Sequence, residues 1–295
     1  MYYNEDTIVY YKGEFIKAKD VRCNIYDQTI HYGYGVFEGI RAYATETGVR
    51  IFKAKEHFDR MKFSCEQAQI PYPYDNEELI QISYSVLEKN NLKNAYIRPL
   101  VTCTPNMSLS KGISSQLLIA SWEWGAYLGH SLLDVIISPY SRPNPSGFKV
   151  AAKITGHYVN SILACQDAKD KGFDEALLLD VNGNIAEGPG ANVFFELDGR
   201  LITPPLGNIL PGITRATIIE ICNDLDIEVE EKNILPDQVM GIDSAFFCGT
   251  AAEVIGIQSI NRVPFKKEWD DSKGFLIQQA YKKLVLGKDY SLLVA

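Results

Sequence analysis

The residue whose type and surroundings most invite chemistry is Lys153. It sits in Val150-Ala151-Ala152-Lys153-Ile154, among small and apolar neighbours. Lysines seldom go inside unless paired or reactive. A desolvated lysine has a depressed pKa and is a better nucleophile toward an aldehyde. Judged on this segment alone, the blander alternative carries more weight: a strand-end lysine that snorkels to water.

The neighbours of that lysine change the balance. Glu187 follows an apolar stretch and precedes a glycine-rich loop, in Ile185-Ala186-Glu187-Gly188-Pro189-Gly190. It reads either as a turn cap or as a buried carboxylate that keeps a pyridine nitrogen protonated, as pyridoxal phosphate (PLP) chemistry requires. Tyr158, five residues after Lys153, offers a hydroxyl to a cofactor phenolate or simply packs near a helix start. Asn208-Ile209-Leu210-Pro211-Gly212-Ile213-Thr214-Arg215 opens an amphipathic helix. Thr214 is placed to cap it, and the free N–H groups of a first turn favour an anion. Cys248-Gly249-Thr250-Ala251-Ala252 is a second small-residue turn, running out of the apolar strand Ala245-Phe246-Phe247, where a ligand can approach the backbone. In Tyr96-Ile97-Arg98 the alternation of a strand puts Tyr96 and Arg98 on one face, a pair suited to a carboxylate. The four histidines form no metal-ligand spacing, and no metal site is expected.

The elements that must position these residues are legible in outline. Ile8 to Ile16 reads as a hairpin around Gly13. Phe58, Met61, Cys65 and Ala68 recur at helical spacing over 56–68, ended by Pro71 and Pro73, and a second helix is predicted over 76–88. Strands are expected over 96–102, 117–122, 135–138 and 176–179, with a proline-rich turn at Pro139, Pro143 and Pro145. Between the last two strands a helix over 158–171 is expected to turn Val159, Ile162, Cys165 and Ala168 inward. Asn182-Gly183 and Asp198-Gly199 read as type I′ hairpin turns. Helices over 214–225 and 271–286 complete the chain. Strands and helices intermingle without regular βαβ alternation, which predicts an α+β fold with mainly antiparallel sheets. The expected division is a small α+β domain over 1–125, a connecting loop over 126–134 and a larger domain over 135–295.

Bulk properties bound the function. The chain has 295 residues, 46% hydrophobic and 22% charged, a soluble globular balance. A formal net charge of -8 attracts neither nucleic acid nor an anionic membrane. The six cysteines lack C-x-x-C spacing and read as small buried thiols. The amino terminus is polar and acidic, without a signal peptide, and no apolar run approaches a membrane span, so the cytoplasm is the expected compartment.

Taken together and in order, several segments resemble the branched-chain amino-acid aminotransferases, of the fold-type IV (class IV) PLP enzymes. They are His31-Tyr32-Gly33, Val36-Phe37-Glu38-Gly39-Ile40-Arg41, Tyr96-Ile97-Arg98-Pro99-Leu100, Trp124-Gly125-Ala126-Tyr127-Leu128-Gly129 and Ala151-Ala152-Lys153. Glu187-Gly188, Leu210 to Arg215 and Gly249-Thr250-Ala251-Ala252-Glu253 complete the set, so the resemblance spans nearly the whole chain. His157 and Pro189 depart from the common pattern and bear on fine substrate preference.

The resemblance implies a D-amino-acid aminotransferase-like fold, with a small α+β domain and a larger carboxy-terminal pseudo-barrel domain. It implies reversible, ping-pong transfer of an amino group between L-leucine, L-isoleucine or L-valine and 2-oxoglutarate, used in biosynthesis. Lys153 would hold PLP as a Schiff base and carry the proton. Glu187 would pair with the pyridine nitrogen and Tyr158 with the phenolic oxygen. Arg60, the amides of Ile213 and Thr214, and Thr250 would grip the phosphate. Tyr96, with the backbone of Thr250 and Ala251, would take the substrate α-carboxylate, and Arg98 the side-chain carboxylate of glutamate. Phe37, Trp124 and Tyr127 would wall the apolar pocket. Tyr32 would reach in from a partner subunit, since the family's site lies near a dimer interface. D-amino-acid transaminases and aminodeoxychorismate lyases share Lys153, Arg60 and Glu187. The Tyr96 to Pro99 and Trp124 to Gly129 segments favour the branched-chain group.

Overall fold

The computed structural model describes residues 2–125 and 132–294. The chain divides into two compact units, Met1–Gly125 with Ala152–His157, and Ala126–Ala151 with Tyr158–Ala295.

In the first unit, β1 (Ile8–Tyr11), β2 (Glu14–Lys17), α1 (Gln28–Tyr32), β3 (Gly35–Phe37), β4 (Ile40–Thr45) and β5 (Gly48–Ile51) precede two helices. These are α2 (Ala54–Gln67) and α3 (Asn76–Lys89), followed by β6 (Ala95–Cys103) and β7 (Ser115–Trp122). The strands form one sheet in the order β2-β1-β7-β6-β4-β5, with β3 also paired to β6. The pairs are antiparallel, and Tyr96 faces Trp122 across β6 and β7. Phe58, Met61 and Cys65 of α2 and Leu79, Ile82, Val86 and Leu87 of α3 pack on Val36, Ile40, Ile97, Val101 and Ile119 of the sheet. Each fully buried aliphatic or aromatic side chain contributes about 1.5–3 kcal/mol. Asp75 starts α3 by accepting the Glu78 N–H at 2.9 Å.

In the second unit, β8 (Leu132–Ser141) leads to α4 (Tyr158–Asp170), β9 (Glu175–Leu179), β10 (Ile185–Glu187), β11 (Asn192–Leu197) and β12 (Arg200–Thr203). Then come α5 (Ile213–Asp224), β13 (Val229–Glu231), β14 (Ser244–Gly249), β15 (Glu253–Ile260), β16 (Val263–Pro264) and α6 (Lys273–Val285). The sheet runs β10-β9-β8-β15-β14-β11-β12-β13, and β10 also pairs with β11, which closes the strands from β10 to β11 into a barrel. Two-sided burial explains its near-continuous apolar runs. Phe195 and Phe247 join one apolar cluster, while Phe194 and Phe246 point the other way and stack at 5.2 Å. Helices α5 and α6 cover the second face. The fold is α+β, as expected. The barrel is less antiparallel than expected, because β8 pairs parallel with both β9 and β15.

Four local expectations need correction. Strand β8 continues through Pro139 to Ser141 instead of turning there. Its register with β9 shifts between Ile137 and Ser141, so the proline falls where no ladder N–H is required. Helix α4 does not turn Val159 and Ile162 inward, since they are 60% and 67% exposed. Its buried face is Ser161, Ala164 and Ala168, and the alanines pack on Ala176 and Leu178 of β9. Small side chains let the helix lie close to the sheet. Asn182-Gly183 is not a type I′ turn, for only Gly183 has positive φ. Asp180 organises this turn instead, through its carbonyl to the Gly183 N–H and its carboxylate to the Asn182 and Asn184 N–H groups. Asp198 and Gly199 do both have positive φ, at 50° and 78°, and join β11 to β12. Among the cysteines, Cys23 is exposed and Cys165 partly buried; the other four are buried. Among the described residues no helix is long and apolar enough to cross a membrane.

Candidate active site

In the first unit the segment carrying Lys153 is tied to β3 and α2 by its backbone. The Lys153 N–H donates to Ser64 Oγ of α2 at 3.0 Å, and its carbonyl accepts from the Phe37 N–H at 3.2 Å. Ile154 bridges to Val36, and the Gly156 N–H donates to the Gly33 carbonyl at 2.9 Å. Lys153 is therefore not at the end of a strand. The amine stands 4.8 Å from the Phe37 ring centroid. Burial, then the Arg60 guanidinium, push it down from the ordinary lysine range to about 8, against the pull of Glu38.

Behind this amine lies a cluster that the sequence reading did not single out. Glu38 is fully buried between β3 and β4. Its Oε1 accepts from Arg60 Nε at 2.7 Å, and its Oε2 from Arg60 Nη2 at 2.9 Å, His57 Nδ1 at 2.7 Å and the Gly39 N–H at 3.2 Å. Burial opposes the charge on Glu38, yet Arg60 and His57 hold its carboxyl well below the usual carboxylate range. Burial pushes the His57 imidazole down. An ionised carboxylate only accepts, so the proton of neutral His57 resides on Nδ1. His57 and Arg60 lie three apart on α2, where helical spacing puts them on one face. Helical spacing alone could have put His57 and Arg60 together, but no motif names Glu38, 19 and 22 residues away, as their shared partner.

Tyr96 and Arg98 share one face of β6, as expected, and Arg98 Nη2 donates to the Tyr96 hydroxyl at 3.3 Å. The Arg98 guanidinium lies 4.6 Å from the Phe37 ring centroid and 5.3 Å from that of Tyr96. Its Nε is buried with no acceptor among the described residues. Trp124 packs edge-on against Tyr96, at 4.6 Å between centroids. Gly39 makes room for this arrangement. A Cβ there would fall 1.7 Å from the Tyr96 hydroxyl. Phe37, Arg60, Tyr96, Arg98, Trp124 and Lys153 thus all belong to the first unit. Tyr32 ends α1, is 45% exposed, and donates its hydroxyl to the Met107 carbonyl. Tyr127 lies outside the described residues.

In the second unit Glu187 ends β10 and is buried. Arg142 Nε stands 2.8 Å from its Oε1, Asn192 Nδ2 donates to Oε2 at 2.9 Å, and the Leu210 N–H donates to Oε1 at 3.1 Å. The sequence reading missed Arg142 and Asn192. Asn192 Nδ2 also donates to the Leu210 carbonyl, so one amide links Glu187 to the approach of α5. Helix α5 begins one residue earlier than expected. Gly212, not Thr214, is the N-cap, and no side chain caps the first turn. A Cβ at Gly212 would sit 1.9 Å from Asn192 Oδ1, which leaves no room for a longer capping residue. Ile213 and Thr214 are the first helical residues, with Thr214 buried. Thr250 and Ala251 occupy the turn between β14 and β15, both partly buried, and Tyr158 is the first residue of α4.

These donor sets fit pyridoxal phosphate. The first unit holds an amine brought toward neutrality for an aldehyde. The second holds a buried carboxylate met by hydrogen-bond donors, and a helix start whose first turn no side chain caps, as anion binding by its N–H groups requires.

Comparison with known proteins adds an independent line. The sequence model of the family described as Amino-transferase class IV matches residues 35–260. The branched-chain-amino-acid aminotransferase of Pseudomonas aeruginosa is 38% identical over 294 residues, covering 97% of this chain and 95% of the relative. Among solved structures, a branched-chain aminotransferase from the thermophilic archaeon Thermoproteus uzoniensis, determined with norvaline, matches with a TM-score of 0.92 at 34% identity over 96% of each chain. The branched-chain amino acid aminotransferase of T.th., complexed with N-(5'-phosphopyridoxyl)-L-glutamate, matches with a TM-score of 0.90 at 34% identity, covering 96% of this chain and 95% of the other. A lysine of lowered basicity, a buried carboxylate with its donors, and similarity over almost the full length converge: the chain belongs to the class IV aminotransferases.

Proposed function

We propose that this chain is a branched-chain amino-acid transaminase, moving the amino group reversibly between L-leucine, L-isoleucine or L-valine and 2-oxoglutarate with pyridoxal 5'-phosphate. The observation that carries this reading is the Lys153 amine, fixed through its backbone to α2 and β3, packed on Phe37 and brought down to about 8. The relatives named above, one solved with norvaline and one with a phosphopyridoxyl-glutamate adduct, support the substrate and cofactor classes.

When bound, the cofactor supplies an aldehyde for the lysine amine and an electron sink for the pair released at the substrate Cα. Lys153 Nζ would hold the cofactor through its aldehyde and is the amine placed to take and return a proton at the substrate Cα. Glu187 would keep the proton on the pyridine nitrogen, and Tyr158 would donate to the phenolic oxygen. Arg60, the Ile213 and Thr214 amides and Thr250 bind the phosphate. Tyr96, with the Thr250 and Ala251 backbone, takes the α-carboxylate. Phe37, Trp124 and Tyr127 wall an apolar pocket, in which an aliphatic side chain gains about 25 cal/mol per Å² buried. Arg98 answers the second carboxylate of glutamate, a role supported by its unanswered Nε. One pocket then serves both halves of a ping-pong cycle.

The assembly in this reading is at least a homodimer, with Tyr32 reaching a partner's site. An exposed apolar group in the first unit supports it. Tyr32 and Tyr26 are bonded to the 106–107 segment, and Ile25, Ile30, Met107 and Leu109 lie exposed nearby in the chain. The working units are those of the fold, which differ from the expected division: the Lys153 segment belongs to the first unit, and β8 is under way by Leu132, within the expected 126–134 linker. The compartment is cytoplasmic, and the partners are amino acids and 2-oxo acids.

A half-reaction panel tests the assignment. L-leucine, L-isoleucine, L-valine and L-glutamate should each convert the bound cofactor to its amine form, read in the visible spectrum. Conversion by D-alanine but not by L-leucine or L-isoleucine would overturn it in favour of a D-amino-acid transaminase.

A further inference from the structure

Glu38 is completely enclosed, and its donors leave it no capacity to touch a ligand. Both oxygens are occupied, by the Nε and Nη2 edge of Arg60, by His57 Nδ1 and by the Gly39 N–H. The pairing with Arg60 is a two-point fork, which fixes the plane of a guanidinium as well as its position. His57 is 2% exposed and adds a neutral donor, so it strengthens the carboxylate's seat without neutralising its charge. Glu38 is itself anchored by its backbone, since its N–H donates to the Pro99 carbonyl of β6 at 2.9 Å. A chain of contacts therefore runs from the central strand β6, through Glu38, to the guanidinium of Arg60.

We infer that Glu38 and His57 are positioning residues: they orient the Arg60 guanidinium, and through it they set the chain's preference for a phosphorylated cofactor over its dephosphorylated form. The inference rests on the reading above in which Arg60 meets the phosphate. A flexible arginine also attracts phosphate, but it loses side-chain entropy on binding. An arginine already ordered by a buried carboxylate does not. Glu38 also places a negative charge beside two mutually repelling cations, Arg60 and Lys153, so Arg60 stays ordered close to the lysine. Nothing in this arrangement acts on the ring or aldehyde of the cofactor directly. Its loss should thus be felt at the phosphate.

The test is equilibrium titration of the cofactor-free full chain with pyridoxal 5'-phosphate and, separately, with pyridoxal, read by visible absorbance. Measured above pH 8, where the Lys153 amine is already neutral in the wild type, the ratio of the two affinities in Glu38→Gln should fall about tenfold, the scale of a misplaced charge-assisted contact, while pyridoxal binding stays near the wild-type level. His57→Phe should lower the ratio less, and His57→Asn, which can return an N–H near the Nδ1 position, should restore it. The histidine pair keeps the test decisive if Glu38→Gln does not fold. An unchanged ratio in Glu38→Gln and His57→Phe, or an equal loss of both ligands, would overturn the inference and leave the cluster a purely structural one. Wild-type protein that binds both ligands equally would remove the phosphate-binding reading of Arg60 itself, and the inference with it.

Discussion

Each unit buries one glutamate against one arginine, and the two pairs are built differently. In the first, Glu38 meets Arg60 at two points and His57 at a third, so side chains from a single helix close the carboxylate off. In the second, Arg142 Nε lies 2.8 Å from Glu187, and two neutral groups, the Asn192 amide and the Leu210 N–H, donate to it. The contrast shows that burial of a carboxylate does not assign its role. Glu38 spends its charge on an arginine and acts through it. Glu187 ends β10 beside a glycine-rich loop, and in the proposed function it is the carboxylate that would hold a proton on a ring nitrogen.

The largest test of that contrast is on turnover. Glu187→Gln keeps the shape but removes the charge, and kcat should fall about 10²–10³-fold, the scale of losing one electrostatic stabiliser at a reacting centre. In Glu38→Gln the loss should appear mainly as weaker cofactor retention, recovered in excess cofactor. Steady-state kinetics across a range of added cofactor separates the two. A kcat loss in Glu38→Gln that excess cofactor does not relieve, as large as that of Glu187→Gln, would erase the distinction.

Stability should rank the other way. Glu38→Ala leaves the buried donors of Arg60 and His57 without their acceptor and should cost about 3–5 kcal/mol. Asn192→Ala removes a neutral donor and should cost about 1–3 kcal/mol. Urea unfolding at neutral pH measures both, and equal losses would mean that the two carboxylates are held alike.

A smaller effect should separate the two substrate classes. Arg98→Leu removes the cation proposed for the glutamate side chain, so KM for L-glutamate should rise about tenfold while that for L-leucine changes little. An equal rise for both would reassign Arg98 to the α-carboxylate.

Much of this was legible in the sequence, where the determinants are local. The hairpin at Asp198-Gly199 needed only two residues that tolerate positive φ, and α2 and α3 needed only a 3.6-residue repeat. Asn182-Gly183 carries the same type of signal but fails as a type I′ turn, because Asp180 captures the neighbouring N–H groups. Helix α4 shows the same limit. Its large apolar residues drew the reading inward, yet the packed face is alanine and serine. The Glu38, His57 and Arg60 cluster was invisible for a third reason. Its glutamate lies 19 and 22 residues from its partners, and no short motif reports such a pairing. The tie between Lys153 and Ser64 spans 89 residues and was equally out of reach.

The smallest shift concerns the lysine's proton. Its pKa is lowered, so the amine is neutral above about 8. Adduct formation with pyridoxal 5'-phosphate by the cofactor-free chain should rise with pH and level off past about 8, where an ordinary lysine keeps gaining toward about 10.4. Because Glu38 raises the lysine's pKa, Glu38→Gln should move that midpoint to lower pH. A rate that still climbs through pH 10 would contradict the burial argument.

The claim on which everything else depends is that Lys153 carries the cofactor. Borohydride reduction of the loaded protein followed by peptide mass mapping tests it directly. The phosphopyridoxyl group should be found on the Lys153 peptide, and Lys153→Ala should carry no reducible adduct. Label on a different lysine, or a Lys153→Ala protein that is still labelled by reduction, would contradict it.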